Sequence, residues 1–109
     1  EGWVLGLLRA HNEHQHIYDD ISYWAATESA TEVDFVLTRD REHLAIEVKA
    51  AERYNTTMLK GLRALADLDC LTRRVLVYRG RRSFSTEDGI DVWPLDTLHD
   101  ALKADRLWP

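Results

Sequence analysis

The chain has 109 residues, 45% hydrophobic and 30% charged, a balance that excludes simple disorder and predicts one domain over residues 1–109. Its net charge of −5 argues against strong autonomous nucleic-acid affinity but leaves room for a local basic strip. The single Cys70 excludes an intrachain disulfide and a cysteine-rich zinc site and suits a reducing cytoplasm, and no apolar run approaches the ~20 residues of a membrane span.

The chain opens on Glu1 rather than Met and shows no signal peptide, so a fragment of a longer protein is expected. Residues 1–11 predict an amphipathic helix, with Trp3, Val4, Leu7, Leu8 and His11 on its apolar stripe. Glu1 at its start suits the helix dipole. His11, Glu13, His14 and His16 together invite a zinc reading, but their spacing is poor for one helix face. A polar connector is the plainer expectation. Ile17 to Trp24 predicts the first strand, and Ala25 to Thr31 a small polar turn. Tyr23 and Trp24 either pack the sheet or stack on bases.

Glu32 to Lys49 is the organising stretch. Two segments with the two-residue period of half-buried strands flank Thr38 to His43, expected as a six-residue loop. Val33, Phe35 and Leu37 share one face of the first segment, and Leu44, Ile46 and Val48 share one face of the second. A symmetric hairpin sets Val33 opposite Val48, Phe35 opposite Ile46 and Leu37 opposite Leu44. It also sets Asp34 opposite Glu47 and Glu32 opposite Lys49. Facing carboxylates repel. A metal ion, a raised pKa or the nearby Lys49 must offset the repulsion. A divalent cation held by carboxylates beside a lysine suits phosphodiester cleavage.

After Lys49 a helix is expected, capped by Asn55 or Thr56. Its stripe is Met58, Leu59, Leu62, Leu65, Ala66 and Leu68 or Cys70. Arg53, Lys60 and Arg63 form a candidate basic strip toward a phosphate backbone, or a solvated face. Arg74 to Tyr78 carries the apolar run of a central strand, reached by a β-α-β crossover. Arg79, Arg81 and Arg82, in the basic loop that follows, are either a phosphate clamp or a charged turn. Ser83 to Thr86 and Ile90 to Trp93 predict two short strands. Pro94 opens a last helix with Leu95, Leu98, Ala101 and Leu102 on its stripe. Leu107 to Pro109 is expected as a loose tail, and no ATP-binding phosphate loop is present.

Asp34, a twelve-residue gap and Glu47-Val48-Lys49 resemble the core of PD-(D/E)XK nucleases. Tyr23-Trp24, residues 32–37, 45–50 and 61–65, and Thr86 to Leu95 look like the poorly characterised C-terminal domain of prokaryotic AAA-family ATPases. The likeness runs from about Glu1 to about Leu102. It implies an α/β, restriction-endonuclease-like three-layer core: a mixed sheet of about four or five strands flanked by helices. The implied order is α-β-β-β-α-β, followed by two short strands and a C-terminal helix. It implies Mg²⁺-dependent, or Mn²⁺-dependent, hydrolysis of DNA by a domain working with an ATPase domain of the same polypeptide. Asp34, Glu47 and the Val48 carbonyl would then bind the ion, and Lys49 would activate water or stabilise charge. Glu1 or Glu32 would add a ligand. One alternative is an inactive nuclease-fold module that binds DNA or a partner protein. Another takes Glu32 and Lys49 as a cross-strand salt bridge and Asp34 and Glu47 as solvated strand residues.

Overall fold

The computed structural model describes residues 2–25 and 32–109; the side chains of residues 23–25 and 32 fall outside that description. Helix α1 spans Gly2–Gln15, longer than the periodicity implied, because the predicted polar connector continues it as far as Gln15. Val4 and Leu8 are buried, but Trp3 is 65% exposed and so leaves the stripe assigned to it. Asn12 turns the chain after the helix: its carbonyl Oδ1 accepts from Tyr18 N–H at 2.9 Å.

Strands β1 (Asp20–Ala25), β2 (Glu32–Arg39) and β3 (Glu42–Val48) form an antiparallel meander. The predicted facing of Phe35 with Ile46 and Leu37 with Leu44 is present. The expected six-residue loop is not. Thr38 pairs with His43 and Arg39 with Glu42, which leaves only Asp40 and Arg41 as the turn. Polarity marked those residues as loop, but the Thr38 hydroxyl and the His43 ring make a 3.1 Å cross-strand contact that suits a ladder equally well. Asp40 takes the left-handed φ of 56°, which aspartate tolerates, and its N–H donates to Asp19 Oδ2 at 2.8 Å.

A second departure lies at the other end of the hairpin. Between Ser22 and Trp24, β1 advances two residues while β2 advances three, from Val36 to Val33. This is a β-bulge, and it carries Val33 across the sheet. Val33 packs with Val36 on one face, while Phe35 and Leu37 pack on the other. The expected pairing of Val33 with Val48 therefore fails, and the β2–β3 ladder stops at Phe35 and Ile46.

The predicted long second helix is also shorter. It consists of a 3₁₀ turn, Thr56–Leu59, and the five-residue α2, Lys60–Ala64. Asn55 caps the turn as anticipated, accepting from Thr57 N–H at 3.0 Å. Met58, Leu59, Leu62 and Leu65 are buried, whereas Ala66 and Cys70 face solvent.

Strand β4 (Leu71–Tyr78) runs parallel to β3, and β6 (Ile90–Pro94) runs parallel to β4. The two-residue β5 (Phe84–Ser85) pairs antiparallel with β6. The sheet is thus six-stranded, in the order β1-β2-β3-β4-β6-β5, rather than four- or five-stranded. Both short strands join the main sheet because β6 takes the free edge of β4 and buries Ile90 and Val92 there.

Helix α3, Leu95–Lys103, follows directly from Pro94 and packs Leu98 and Leu102 with Val4 and Leu8 of α1 against one sheet face. The 3₁₀ turn and α2 cover the opposite face over Val36, Ala45 and Leu76. The run Val75-Leu76-Val77 serves both cores in alternation, as its continuous apolarity predicted. Leu107 is 1% exposed and belongs to the α1–α3 core, so the C-terminal segment is docked rather than loose. The Arg73 guanidinium holds it by donating to the Arg106 and Leu107 carbonyls at 3.0 and 2.8 Å. The Trp108 indole N–H donates to Glu42 at 2.9 Å. No described helix is long and apolar enough to cross a membrane.

Candidate functional site

Asp34 sits in the stretch of β2 where the bulge interrupts the strand. A bulge re-aims side chains that a regular ladder would hold square to the sheet. The Asp34 carboxylate therefore reaches along the sheet and accepts from Val48 N–H at 2.8 Å. It fills the place where the missing β2–β3 backbone pair would be. Lys49 N–H, one residue on, donates to the Val77 carbonyl of β4 at 2.9 Å. Alternation along a strand then turns the Val48 carbonyl to the same side as the Val48 N–H, toward Asp34.

Glu47 is 5% exposed, the one buried charged residue among those described. Burial pushes its carboxyl up to about 8, helped by a hydrogen bond to the Asp34 carboxyl and by that group's charge; the Lys49 ammonium and the Val48 N–H pull weakly the other way. Glu47 therefore holds its proton to higher pH than a free glutamate does, against Asp34. The reading of Glu47 as a solvated strand residue is overturned by its burial. The facing carboxylates foreseen in the hairpin do meet, through the bulge rather than through a regular pair.

Two carboxyl groups and one backbone carbonyl thus lie together, a set of hard oxygen donors. Oxygen donors of this kind suit Mg²⁺ or Mn²⁺ better than zinc. A cation placed there would relieve the pairing that raises Glu47. The residues fit such an ion as a partial shell. No cluster of three or more His, Cys, Asp or Glu side chains able to hold a metal occurs among the described residues. Glu1 and the Glu32 side chain, the candidate extra ligands, lie outside the described residues, as do the Glu32–Lys49 salt bridge and the side chains of Tyr23 and Trp24.

A cleft of about 550 Å³ opens at the carboxyl ends of the parallel strands β3 and β4, on the sheet face that carries Val48 and Val77. Val48, Lys49 and Ala50 from the end of β3 line it, together with Val77, Tyr78 and Arg79 from the end of β4. Trp3 and Val4 from α1 and Leu95 from α3 close the far side. Lys49 borders the cleft, whereas Asp34 and Glu47 do not. The sequence pattern does not mark Trp3 as a site residue, whereas Arg79 belongs to the basic loop it offers as a phosphate clamp. Helical spacing assigned Trp3 to the core, and Arg79 was indistinct from its basic neighbours.

Of the proposed nucleic-acid contacts, Arg63 and Arg82 have partners within the chain. Arg63 is committed to an ion pair with Asp88 at 3.0 Å. That pairing holds the Asp88 carboxyl down to about 2, with the Thr86 hydroxyl assisting. The guanidinium of Arg82 lies 5.5 Å above the Phe84 ring. Arg53, Lys60 and Arg81 are exposed. The loop that carries Arg81 and Arg82 is clasped by Tyr78, whose hydroxyl donates to the Arg82 carbonyl at 2.8 Å and accepts from Arg82 N–H at 3.2 Å. A Cβ at Gly80 would run into the Tyr78 ring, so the clasp requires glycine there.

The family described as "Domain of unknown function (DUF4143)" matches residues 1–98 of the chain. No curated protein and no solved structure matches it.

Proposed function

The chain belongs to the DUF4143 domain family, and we propose that it hydrolyses nucleic-acid phosphodiesters with a divalent cation at Asp34, Glu47 and the Val48 carbonyl. The observation that carries this reading is Glu47: a carboxyl 5% exposed, pushed up to about 8 and turned onto a second carboxyl. Structural strand positions do not require such an arrangement, which costs stability whenever both groups ionise. The order of elements supports the reading as well. Helix, three strands, helical segment and a fourth, parallel strand follow one another as expected for a restriction-endonuclease-like core.

Within this reading Asp34 and Glu47 bind the cation, and the Val48 carbonyl completes the protein's share of its ligands. Mg²⁺ or Mn²⁺ would supply Lewis-acid polarisation of a phosphoryl oxygen and a more acidic bound water. Lys49, at the border of the cleft, places a positive charge where an anionic phosphate would lie and orients the attacking water. The Asp34–Val48 hydrogen bond fixes one carboxylate oxygen and leaves the other for the ion. DNA is the proposed substrate, and an ATPase domain of the same polypeptide the proposed partner.

Calorimetric titration with Mn²⁺ tests the centre. Wild type should bind one ion, and Asp34→Ala and Glu47→Ala should each abolish the heat. Lys49→Ala should keep binding and fold but lose cleavage of a linear DNA substrate. Undiminished cutting by that variant overturns the role given to Lys49. A second reading, a nuclease-fold module that binds without cutting, draws support from the net charge of −5 and from the absence of Asp34 and Glu47 from the cleft wall. Metal-dependent cutting lost on replacement of Asp34, Glu47 or Lys49 would dismiss it.

A further inference from the structure

We propose that the cleft beside Lys49 seats one unpaired nucleotide of a single strand, its base against Trp3 and its phosphate between Lys49 and Arg79. This rests on the nuclease reading above and specifies the form of nucleic acid that site accepts.

Trp3 is the one large hydrophobic side chain among the described residues that stands exposed, at 65%, and it stands on the wall of the cleft. An indole left in water at the border of an apolar recess offers a flat face that any base can stack on. The floor beneath it is Val4, Val48, Val77 and Leu95. A cavity of about 550 Å³ falls within the ~300–1,000 Å³ of small-molecule sites, room for one nucleotide unit but not for a duplex.

Two cations border the same recess. Lys49 follows the end of β3 and Arg79 the end of β4, and both are exposed. The backbone holds their spacing, because Lys49 N–H donates to the Val77 carbonyl at 2.9 Å and Arg79 N–H to the Ala51 carbonyl at 3.0 Å. Neither makes an ion pair among the described residues, unlike Arg63 and Arg73. In a chain of net charge −5, paired cations beside an apolar wall are a local exception that a phosphate would answer. A base can reach the wall only when it is free of its stack, so a single strand or a frayed end is the ligand, not an intact duplex. Base and phosphate together could also come from a free mononucleotide; the strand is favoured because Lys49 ties the cleft to the proposed cleavage centre.

The test is fluorescence anisotropy of a labelled twelve-nucleotide oligothymidylate with the full chain, in chelator so that binding is read apart from cutting. A blunt duplex and dTMP are the competitors. Wild type should prefer the oligothymidylate by at least tenfold over either. Trp3→Ala should weaken that binding roughly fivefold to a hundredfold, the range for loss of one stacked base. The variant should fold normally, since an exposed helical site accepts alanine well. Arg79→Ala should weaken binding and lower the salt dependence by about 0.7 in log–log slope, the value for one phosphate on a single strand.

Wild-type affinity in both variants, equal binding of duplex, equal binding of dTMP, or no binding at all each overturns the assignment. The two proposals fail separately. If the nuclease reading alone is wrong, the oligothymidylate still binds through Trp3 and Arg79 but is not cut when Mn²⁺ is added. If the cleft assignment alone is wrong, metal-dependent cutting persists and is indifferent to both substitutions.

Discussion

Replacing Glu47 with glutamine should make the metal-free protein more stable at alkaline pH and remove part of its pH dependence. The ordinary glutamate value is 4.5 and the folded value about 8. The unfolded chain thus releases this proton early in a rise of pH, and the native chain holds it. A group raised in this way contributes stability that is complete below about 4.5 and is lost as pH climbs toward 8. Integrated from pH 5 to pH 8, with about 1.4 kcal/mol for each pH unit, the loss is roughly 3 kcal/mol. Glutamine is neutral throughout, and its amide can still donate to the Asp34 carboxyl. Urea unfolding in chelator, followed by tryptophan fluorescence at pH 5 and pH 8, reads the effect. The difference between wild type and Glu47→Gln isolates it, because every other titrating group is shared. The variant should gain about 3 kcal/mol on wild type between the two pH values. Parallel stability profiles would show that Glu47 is ionised in the native protein, and the shared-proton account of the site would be wrong.

Leu76→Ala should cost about 2–5 kcal/mol in chemical denaturation, since Leu76 is 0% exposed in the middle strand of the sheet and its removal leaves a cavity over Leu59 and Leu62. Arg73→Met should free the C-terminal segment, because it removes the 3.2 Å ion pair to Asp91 and the donors to the Arg106 and Leu107 carbonyls. Faster amide exchange at residues 106–108 and a loss of about 1–3 kcal/mol would register it. Gly80→Ala should dislodge the basic loop by driving a methyl group into the Tyr78 ring, and the near-UV tyrosine signal should change while the global transition stays cooperative. Unchanged spectra in that variant would mean that the loop does not depend on the clasp.

The hairpin shows how far local pattern reaches. The pairs Phe35–Ile46 and Leu37–Leu44 were readable because strand periodicity permits few registers that bury both apolar faces. The first helix as far as residue 11, the central strand and the last helix were readable from periodicity in the same way. The bulge was not. In Glu-Val-Asp-Phe-Val-Leu only Val36 breaks the alternation, and Val33 is apolar enough for either face. The switch is made by pairing with β1, a strand seven residues earlier in the chain, and its consequence is the reach of Asp34 to Val48. Tail and loop were misjudged for a related reason: their polar residues find partners on distant strands, as Arg73 finds the carbonyls of residues 106 and 107.

By itself, then, the sequence determined the α/β class, the order of helices and strands, the hairpin register near Phe35 and the candidacy of Asp34, Glu47 and Lys49. These depend on periodicity and residue chemistry, which are local. Only the tertiary structure decided that Glu47 is buried with its carboxyl raised against Asp34, that the short strands complete a six-stranded sheet, and that Trp3 leaves the core to stand at a cleft with Lys49 and Arg79. Burial, electrostatic coupling and exposure depend on which surfaces meet in space. Those meetings join residues far apart in the chain, and no window of sequence contains them.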